Sequence, residues 1–367
     1  MKFLLISPKN RTVYNFRGDL IKEIIKRGYE VVVTGPDRTD VEKIEELGAR
    51  FVEIPMNKTG TNILSDFRYF RALWKLMKRE KPDVTLGYTV KPVTYGTLAA
   101  FFAKVKNINC LVTGGGYTFT SGSFKARILG FIVRRLYKTA FRKASSVIFQ
   151  NPDDRDEFVD RRLVRESKCR IVGGSGVNTE HFSPLPFPEG ISFFMLSRLL
   201  YSKGVKEYLC AAEKVKSQFP QTKFYLLGKY ETDMQDAIPK EYVEDFIGRG
   251  IVERFEETHD VRPYYAKCSV YVLPSYREGT PRTVLEAMAC GRPIITTDAN
   301  GCRDTVINGQ TGFLVPVRDA EAIAEKMIFF INNPEHITLM GKASNAYCKE
   351  KFDVNKVNGE MLSIMKI

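Results

Sequence analysis

The sequence predicts an α/β protein made of two doubly wound domains, and three observations predict it. The chain has 367 residues, about twice an average domain. Short apolar runs alternate with helical patterns through both halves, the order expected of mostly parallel sheets covered by helices. Between the two series Pro184, Pro186 and Pro188 cluster, and proline interrupts both periodicities. The expected division is residues 1–184, residues 185–350 and a terminal segment 351–367.

In the first half the strand candidates are residues 3–6, 30–34, 51–54, 84–88, 110–113, 147–150 and 170–172, each a short apolar run of the kind buried on both faces in a parallel sheet. Helical patterns at residues 20–27, 63–80 and 94–105 separate them. The second half opens with the apolar run 191–197 and continues with strands at 224–227, 252–255, 270–273, 294–297 and 313–315. After Gly204, the residues Val205, Tyr208, Leu209, Ala212 and Val215 recur at helical spacing. Pro281 suits the first turn of a helix whose apolar side is Val284, Leu285 and Met288. Helices near 320–331 and 337–351 and a short pattern over 354–367 complete the chain.

Two loops of the second half carry the chemistry. Arg198 stands just past the run that ends at Ser197, and Lys203 precedes the glycine that opens the next helix. Ligands of open α/β sheets bind at strand carboxyl ends, so a forked cation and a point charge meet there, a pair suited to a diphosphate. One α/β segment later come Glu278, Gly279, Thr280 and Pro281, then Glu286 on the helix. Backbone N–H groups near Arg282 and Thr283 would face an anion. Glu278 can accept hydrogen bonds from sugar hydroxyls and Glu286 from a ribose diol.

The residues Ser197-Arg198-Leu199, Lys203-Gly204-Val205, Leu273 to Pro281, Val284 to Pro293, Gly301-Cys302-Arg303-Asp304, and Asn308-Gly309 with Thr311 to Val315 resemble the retaining, nucleotide-sugar-dependent glycosyltransferases of family four. The resemblance runs nearly end to end. It implies the GT-B fold, two Rossmann-like domains facing across a cleft, with a C-terminal helix crossing back to the first domain. Tyr88-Thr89-Val90-Lys91-Pro92 and residues 174–182 are similar to one branch: capsule, O-antigen and glycan-assembly transferases acting on polyprenyl-diphosphate-linked sugars. That branch implies a UDP-sugar donor, with N-acetylgalactosamine as the leading sugar among N-acetylhexosamines, and no metal or other cofactor. It implies Arg198, Lys203 and Glu278 as catalytic residues. Ser197, Gly279, Thr280, Pro281, Thr283, Val284 and Glu286 are then the nucleotide-sugar contacts. Many relatives carry a histidine on a first-domain loop, but the first histidine here is His181. Lys91 and a backbone carbonyl are the candidates for its place. Asn15, Arg17, Lys91, Gly115 and Tyr117 are the expected acceptor contacts, on a loop after the first strand that mixes basic and aromatic residues and on two later loops.

The formal charge of +13 belongs to the first half: residues 1–180 hold 33 Lys and Arg against 19 Asp and Glu, and the rest holds 23 against 24. No acidic residue falls between Asp83 and Asp153. On a helix Arg127, Arg134, Lys138 and Arg142 share one side, with Leu129, Val133, Leu136 and Ala140 opposite. The basic face would turn to an anionic membrane surface, each basic residue near the surface contributing ~1 kcal/mol. No nucleic-acid recognition motif accompanies it. No apolar run approaches the ~18 residues of a membrane span, and the apolar start at residues 3–6 is too short for a signal peptide. Seven scattered cysteines without a Cys-x-x-Cys pair, and three histidines, read as reduced thiols and no metal centre. The expected location is the cytoplasm, against the inner face of the membrane.

Two short motifs are discounted. Asp154-Arg155-Asp156 spells a metal-holding motif of a different glycosyltransferase fold, but beside Asn151 and Asp153 it reads as a helix start. Gly114-Gly115-Gly116 has no basic partner to make it a phosphate cradle. Two other readings stand beside the transferase: a nucleotide-sugar epimerase of the same architecture, and a non-catalytic protein of the membrane surface. The second has no use for Glu278 and Glu286.

Overall fold

The computed structural model describes residues 1–57, 62–115, 124–232 and 234–367, without the side chains of residues 124–126 and 128. Tyr117, one of the expected acceptor contacts, lies outside them. The chain divides into one unit of residues 1–176 and 354–367 and a second of residues 177–353.

The first unit is a parallel sheet of β1 (Lys2–Ile6), β2 (Glu30–Gly35), β3 (Arg50–Glu53), β4 (Val84–Tyr88), β5 (Asn107–Val112), β6 (Ser146–Phe149) and β7 (Cys169–Ile171). Its order is β3-β2-β1-β4-β5-β6-β7, with Phe3 opposite Val31 on one side and Val84 on the other. Alternate residues of β1 explain the continuous apolar run. Phe3 and Leu5 enter a core with Val31, Val33, Met361 and Leu362, whereas Leu4 and Ile6 enter another with Val32, Leu73 and Met77. Helices therefore cover both faces, and after Lys2 at its partly exposed start every position of the strand is apolar. The terminal helix Val354–Met365 belongs to this unit: Asn107 Nδ2 donates to the Met365 carbonyl at 2.5 Å and Arg27 donates to that of Ile367 at 2.6 Å.

The second unit is a parallel sheet of β8 (Ser192–Leu196), β9 (Lys223–Leu227), β10 (Glu253–Phe255), β11 (Val270–Leu273), β12 (Ile294–Thr297) and β13 (Gly312–Val315), ordered β10-β9-β8-β11-β12-β13. The proline cluster lies inside this unit and is tied to it. Arg292, fully buried, donates to the carbonyls of Leu185 at 3.1 Å, Pro186 at 2.7 Å and Tyr265 at 3.0 Å, with its guanidinium 4.5 Å from the Phe187 ring centre. The chain divides instead at Gly176, whose hydrogen sits where a Cβ would be 2.7 Å from the Val354 Cα.

In both sheets the order reverses beside the first strand, so each has a switch point: between β1 and β4, and between β8 and β11. Loops leaving the carboxyl ends of those strands diverge there and leave room for a ligand.

Candidate active site

The second switch point gathers the residues the sequence singles out. The loop after β8 holds Ser197 and Arg198, followed by a tight turn Tyr201–Lys203 and the helix Val205–Gln218. Gly204 makes the corner with φ 73°, and a Cβ there would lie 2.2 Å from the Pro274 carbonyl oxygen. The turn therefore presses on the end of β11, and the Tyr276 N–H donates to the Ser202 carbonyl at 2.8 Å to join the two loops. Lys203 thereby reaches Glu278 and forms an ion pair with it. Gly301 supports Glu278 from the other side. A Cβ at Gly301 would sit 2.3 Å from the carbonyl oxygens of Glu278 and Gly279, and the Glu278 N–H donates to Asn300 at 2.9 Å.

Arg198 is exposed, and its Nη1 lies 3.3 Å from the Met234 sulfur. A thioether is a weak acceptor, so among the described residues no carboxylate offsets the charge of this solvent-facing guanidinium. Lys203 keeps two further N–H donors beyond the one on Glu278. Gly228 lets the neighbouring loop come close: a Cβ there would meet the Ser197 carbonyl at 1.9 Å.

The helix Arg282–Ala289 starts behind Pro281, and its first N–H groups, Thr283 among them, precede the internal hydrogen-bond ladder. Glu286 lies one turn in, largely buried. Its Oε2 accepts from the Tyr265 hydroxyl at 3.1 Å and its Oε1 from Arg282 Nε at 3.1 Å. Burial pushes its carboxyl pKa up, against the opposing pull of Arg282 and the Tyr265 hydroxyl. Thr280 Oγ1 is turned to the Gly279 carbonyl at 3.0 Å. Arg282 is visible in the sequence as an i, i+4 partner of Glu286. Tyr265, from a different helix, carried no such signal. Nor did the pairs Ser202 with Asp236 and Tyr276 with Glu207, which brace the Lys203 turn.

Several of the expected contacts are engaged elsewhere in the structure. Val284 is fully buried in the hydrophobic core, and its N–H donates to the Pro281 carbonyl at 3.1 Å. Pro281 is buried too and serves the helix start. In the first unit the expected basic loop is helix: Asn10–Lys26 begins three residues past Ser7, because Val13 continues the buried face of Leu20, Ile21 and Ile24. Asn15 is exposed on it, but Arg17 is 4% exposed with its guanidinium 5.7 Å from the Tyr88 ring centre. Lys91 is bound to Asp66 at 2.6 Å, both side chains mostly buried. The Gly115 N–H donates to Asp154 at 3.1 Å. Asp154 itself is fully buried and capped by Asn151, which accepts from its N–H at 2.7 Å. At the first switch point the Tyr88 hydroxyl bridges Ser7 at 2.7 Å and Thr12 at 2.8 Å.

On the helix Phe124–Lys143, Arg127 and Arg142 are exposed, whereas Arg134 and Lys138 are half-buried. Leu129 was expected inside and is 41% exposed, beside Phe131 and Ile132 at 59% and 49%. The inward packing comes from the last turns, where Tyr137 and Phe141 enter a core with Phe149 and Phe158. Among the described residues no helix is long and apolar enough to cross a membrane, and no group of three His, Cys, Asp or Glu side chains is placed to hold a metal.

Comparison with known proteins joins this geometry to a family. Residues 177–346 match the family model "Glycosyl transferases group 1", and residues 2–151 match "Glycosyl transferase 4-like". An N,N'-diacetylbacillosaminyl-diphospho-undecaprenol alpha-1,3-N-acetylgalactosaminyltransferase of Campylobacter jejuni is 28% identical over 347 residues, covering 91% of this chain and 90% of its own. A UDP-Gal:alpha-D-GlcNAc-diphosphoundecaprenol alpha-1,3-galactosyltransferase of Escherichia coli is 23% identical, covering 75% and 73%. The crystal structure of Anabaena HepE in complex with UDP and glucose is similar over 100% of this chain and 99% of that one, with TM-score 0.82 and 18% identity. The chain thus carries a glycosyl transferase 4-like domain in its first half and a group 1 glycosyl transferase domain in its second, and its two parallel-sheet units have the fold of the solved GT-B glycosyltransferases.

Proposed function

We propose that this glycosyltransferase moves an N-acetylhexosamine, N-acetylgalactosamine first among them, from a UDP-sugar to a saccharide linked to polyprenyl diphosphate. The observation that carries the reading is the placement of Arg198, Lys203 and the start of the helix Arg282–Ala289 around one switch point, with Glu278 and Glu286 alongside. The two relatives support the acceptor class, and the Escherichia coli one supports UDP.

In this reading Arg198 and Lys203 hold the donor diphosphate. The bond between the sugar's anomeric carbon and the phosphate oxygen breaks, and charge grows on the leaving UDP. Cations fixed beforehand stabilise that charge more in the transition state than in the ground state. The acceptor hydroxyl forms the new bond on the same face of the sugar, so configuration is retained, and its proton passes to the leaving phosphate. Glu278 orients donor hydroxyls and Lys203, and Glu286 receives the ribose diol. The positive charge comes from side chains, so a divalent metal is not required.

Anionic membrane is the proposed setting. Beyond the basic residues, unit one exposes Phe67, Phe101 and Phe102 at 60%, 41% and 58%. Phe70 links Phe67 to Phe102 at 6.4 and 6.1 Å, and Lys143 lies 4.1 Å above Phe101. Aromatic side chains beside cations suit the boundary between headgroups and acyl chains.

The test is release of UDP from UDP-N-acetylgalactosamine in the presence of chelator, with and without an undecaprenyl-diphosphate-linked saccharide. The proposal predicts release that requires the acceptor, and a loss of about 10²–10³ in rate for Arg198→Ala or Lys203→Ala. Interconversion of the UDP-sugar without release would indicate the epimerase, and near-normal rates in both variants would refute the assigned roles.

A further inference from the structure

A second cationic site lies in unit one, away from the β1–β4 switch point of that unit. The last turns of the helix Phe124–Lys143 lead into the amino end of β6, and residues 159–168 lead into the amino end of β7. Between them is a cavity of about 470 Å³ lined by Lys138, Arg142, Arg162, Arg165 and Lys168 with an apolar wall, and no carboxylate lines it. This is the edge of the sheet opposite the strand carboxyl ends.

The five cations divide by role. Lys168 closes the helix end: its Nζ donates to the carbonyls of Phe141, Arg142 and Ala144 at 3.2, 3.0 and 2.6 Å. Among the described residues, the side chains of Lys138, Arg142, Arg162 and Arg165 make no ion pair or hydrogen bond that offsets their charge. Such a cluster repels itself unless an anion is shared among its members. Burial lowers the Lys168 pKa, and Arg165 and Lys143 lower it further, consistent with a positive local field.

Arg162 adds a separate observation. It ends the helix Pro152–Asp160 in the left-handed region, φ 54°. Its N–H donates to Val159 at 2.8 Å and that of Leu163 to Phe158 at 3.0 Å, the paired bonds of a Schellman helix end. Glycine is the residue that adopts this conformation without steric cost. An arginine here adds nothing to the turn, yet its side chain lines the cavity.

We infer that this cavity binds a phosphate ester, presented either on a phospholipid headgroup or as a free ester, through Arg142, Arg162 and Arg165 with Lys138. Guanidinium forks match phosphate oxygens in pairs. The inference does not rest on the transferase reading, since the site shares no residue with the donor site and would stand if the donor assignment failed.

The probes are glycerol 1-phosphate and dihexanoyl-phosphatidylglycerol below its micelle concentration, titrated calorimetrically into wild type, Arg162→Gly and Arg142→Gln/Arg165→Gln. Wild type is expected to bind at least one probe, and each variant to bind it about tenfold more weakly. Arg162→Gly is expected to melt no lower than wild type, because glycine relieves the left-handed position; this separates lost recognition from lost folding. Binding of the lipid alone identifies the headgroup as the source, and binding of the small ester alone identifies a free ester. Binding of neither probe by wild type, or unchanged affinity in the double variant, overturns the inference.

Discussion

Glu286 shows how one side chain can be tuned by its surroundings. Burial favours its protonated form, so its folded pKa lies above the ordinary value of 4.5. The sign has two consequences. The stability this residue contributes is complete below the unfolded pKa and is lost as pH rises through the folded one. Nucleotide binding runs the other way, because only the ionised carboxylate accepts from both hydroxyls of a ribose diol. The ratio of UDP affinities, wild type over Glu286→Gln, should therefore rise as pH increases above 4.5 and then level off. Calorimetry across that range checks it, and dividing by the variant removes titration of the nucleotide's own phosphate. A ratio independent of pH would mean that Glu286 does not meet the ligand.

The elements that position the donor site depend on glycines as much as on charges. Gly301 holds φ 74° and lies under the Glu278 and Gly279 carbonyls, so Gly301→Ala must displace the loop that carries Glu278. A fall in kcat/KM of about tenfold or more, with the circular-dichroism spectrum unchanged, is expected from a displacement near 1 Å. Normal kinetics would show that the loop has freedom the close contact does not suggest. Much of this architecture was legible in the sequence. Apolar runs mark β1, β2 and β4 because both faces are buried, the Arg198, Lys203 and Glu278 loops fall where strands end, and Glu286 falls on the helix that follows. Other parts were hidden for physical reasons. β5 begins at Asn107, earlier than its apolar run, because Asn109 is buried by hydrogen bonds to the Thr85 carbonyl at 3.3 Å and Ser146 at 2.6 Å rather than by apolarity. Over its first turns the helix Asn10–Lys26 reads as a loop in the sequence because polar residues outnumber apolar ones there. Tyr265, reaching Glu286 from another helix, depends on tertiary packing that no local spacing encodes.

At the scale of the whole molecule the charge asymmetry and the division into units coincide. The positive excess belongs to the first half of the chain, and the exposed Phe67, Phe101, Phe102, Phe131 and Ile132 all lie in unit one. Anionic vesicles should bind the protein more than neutral ones, with Phe102→Asp weakening binding that salt alone does not abolish. Sedimentation with vesicles at low and high salt checks this; equal binding to neutral vesicles, or no effect of the substitution, would count against an apolar contribution beside the basic one. The central claim, however, concerns unit two, and calorimetric titration of UDP and GDP without divalent metal into wild type and Glu286→Ala tests it most directly. The account predicts that UDP binds wild type in preference to GDP, and that Glu286→Ala weakens UDP binding about tenfold. Undiminished UDP binding by the variant, or equal indifference to both nucleotides, would contradict the placement of the donor at the β8–β11 switch point.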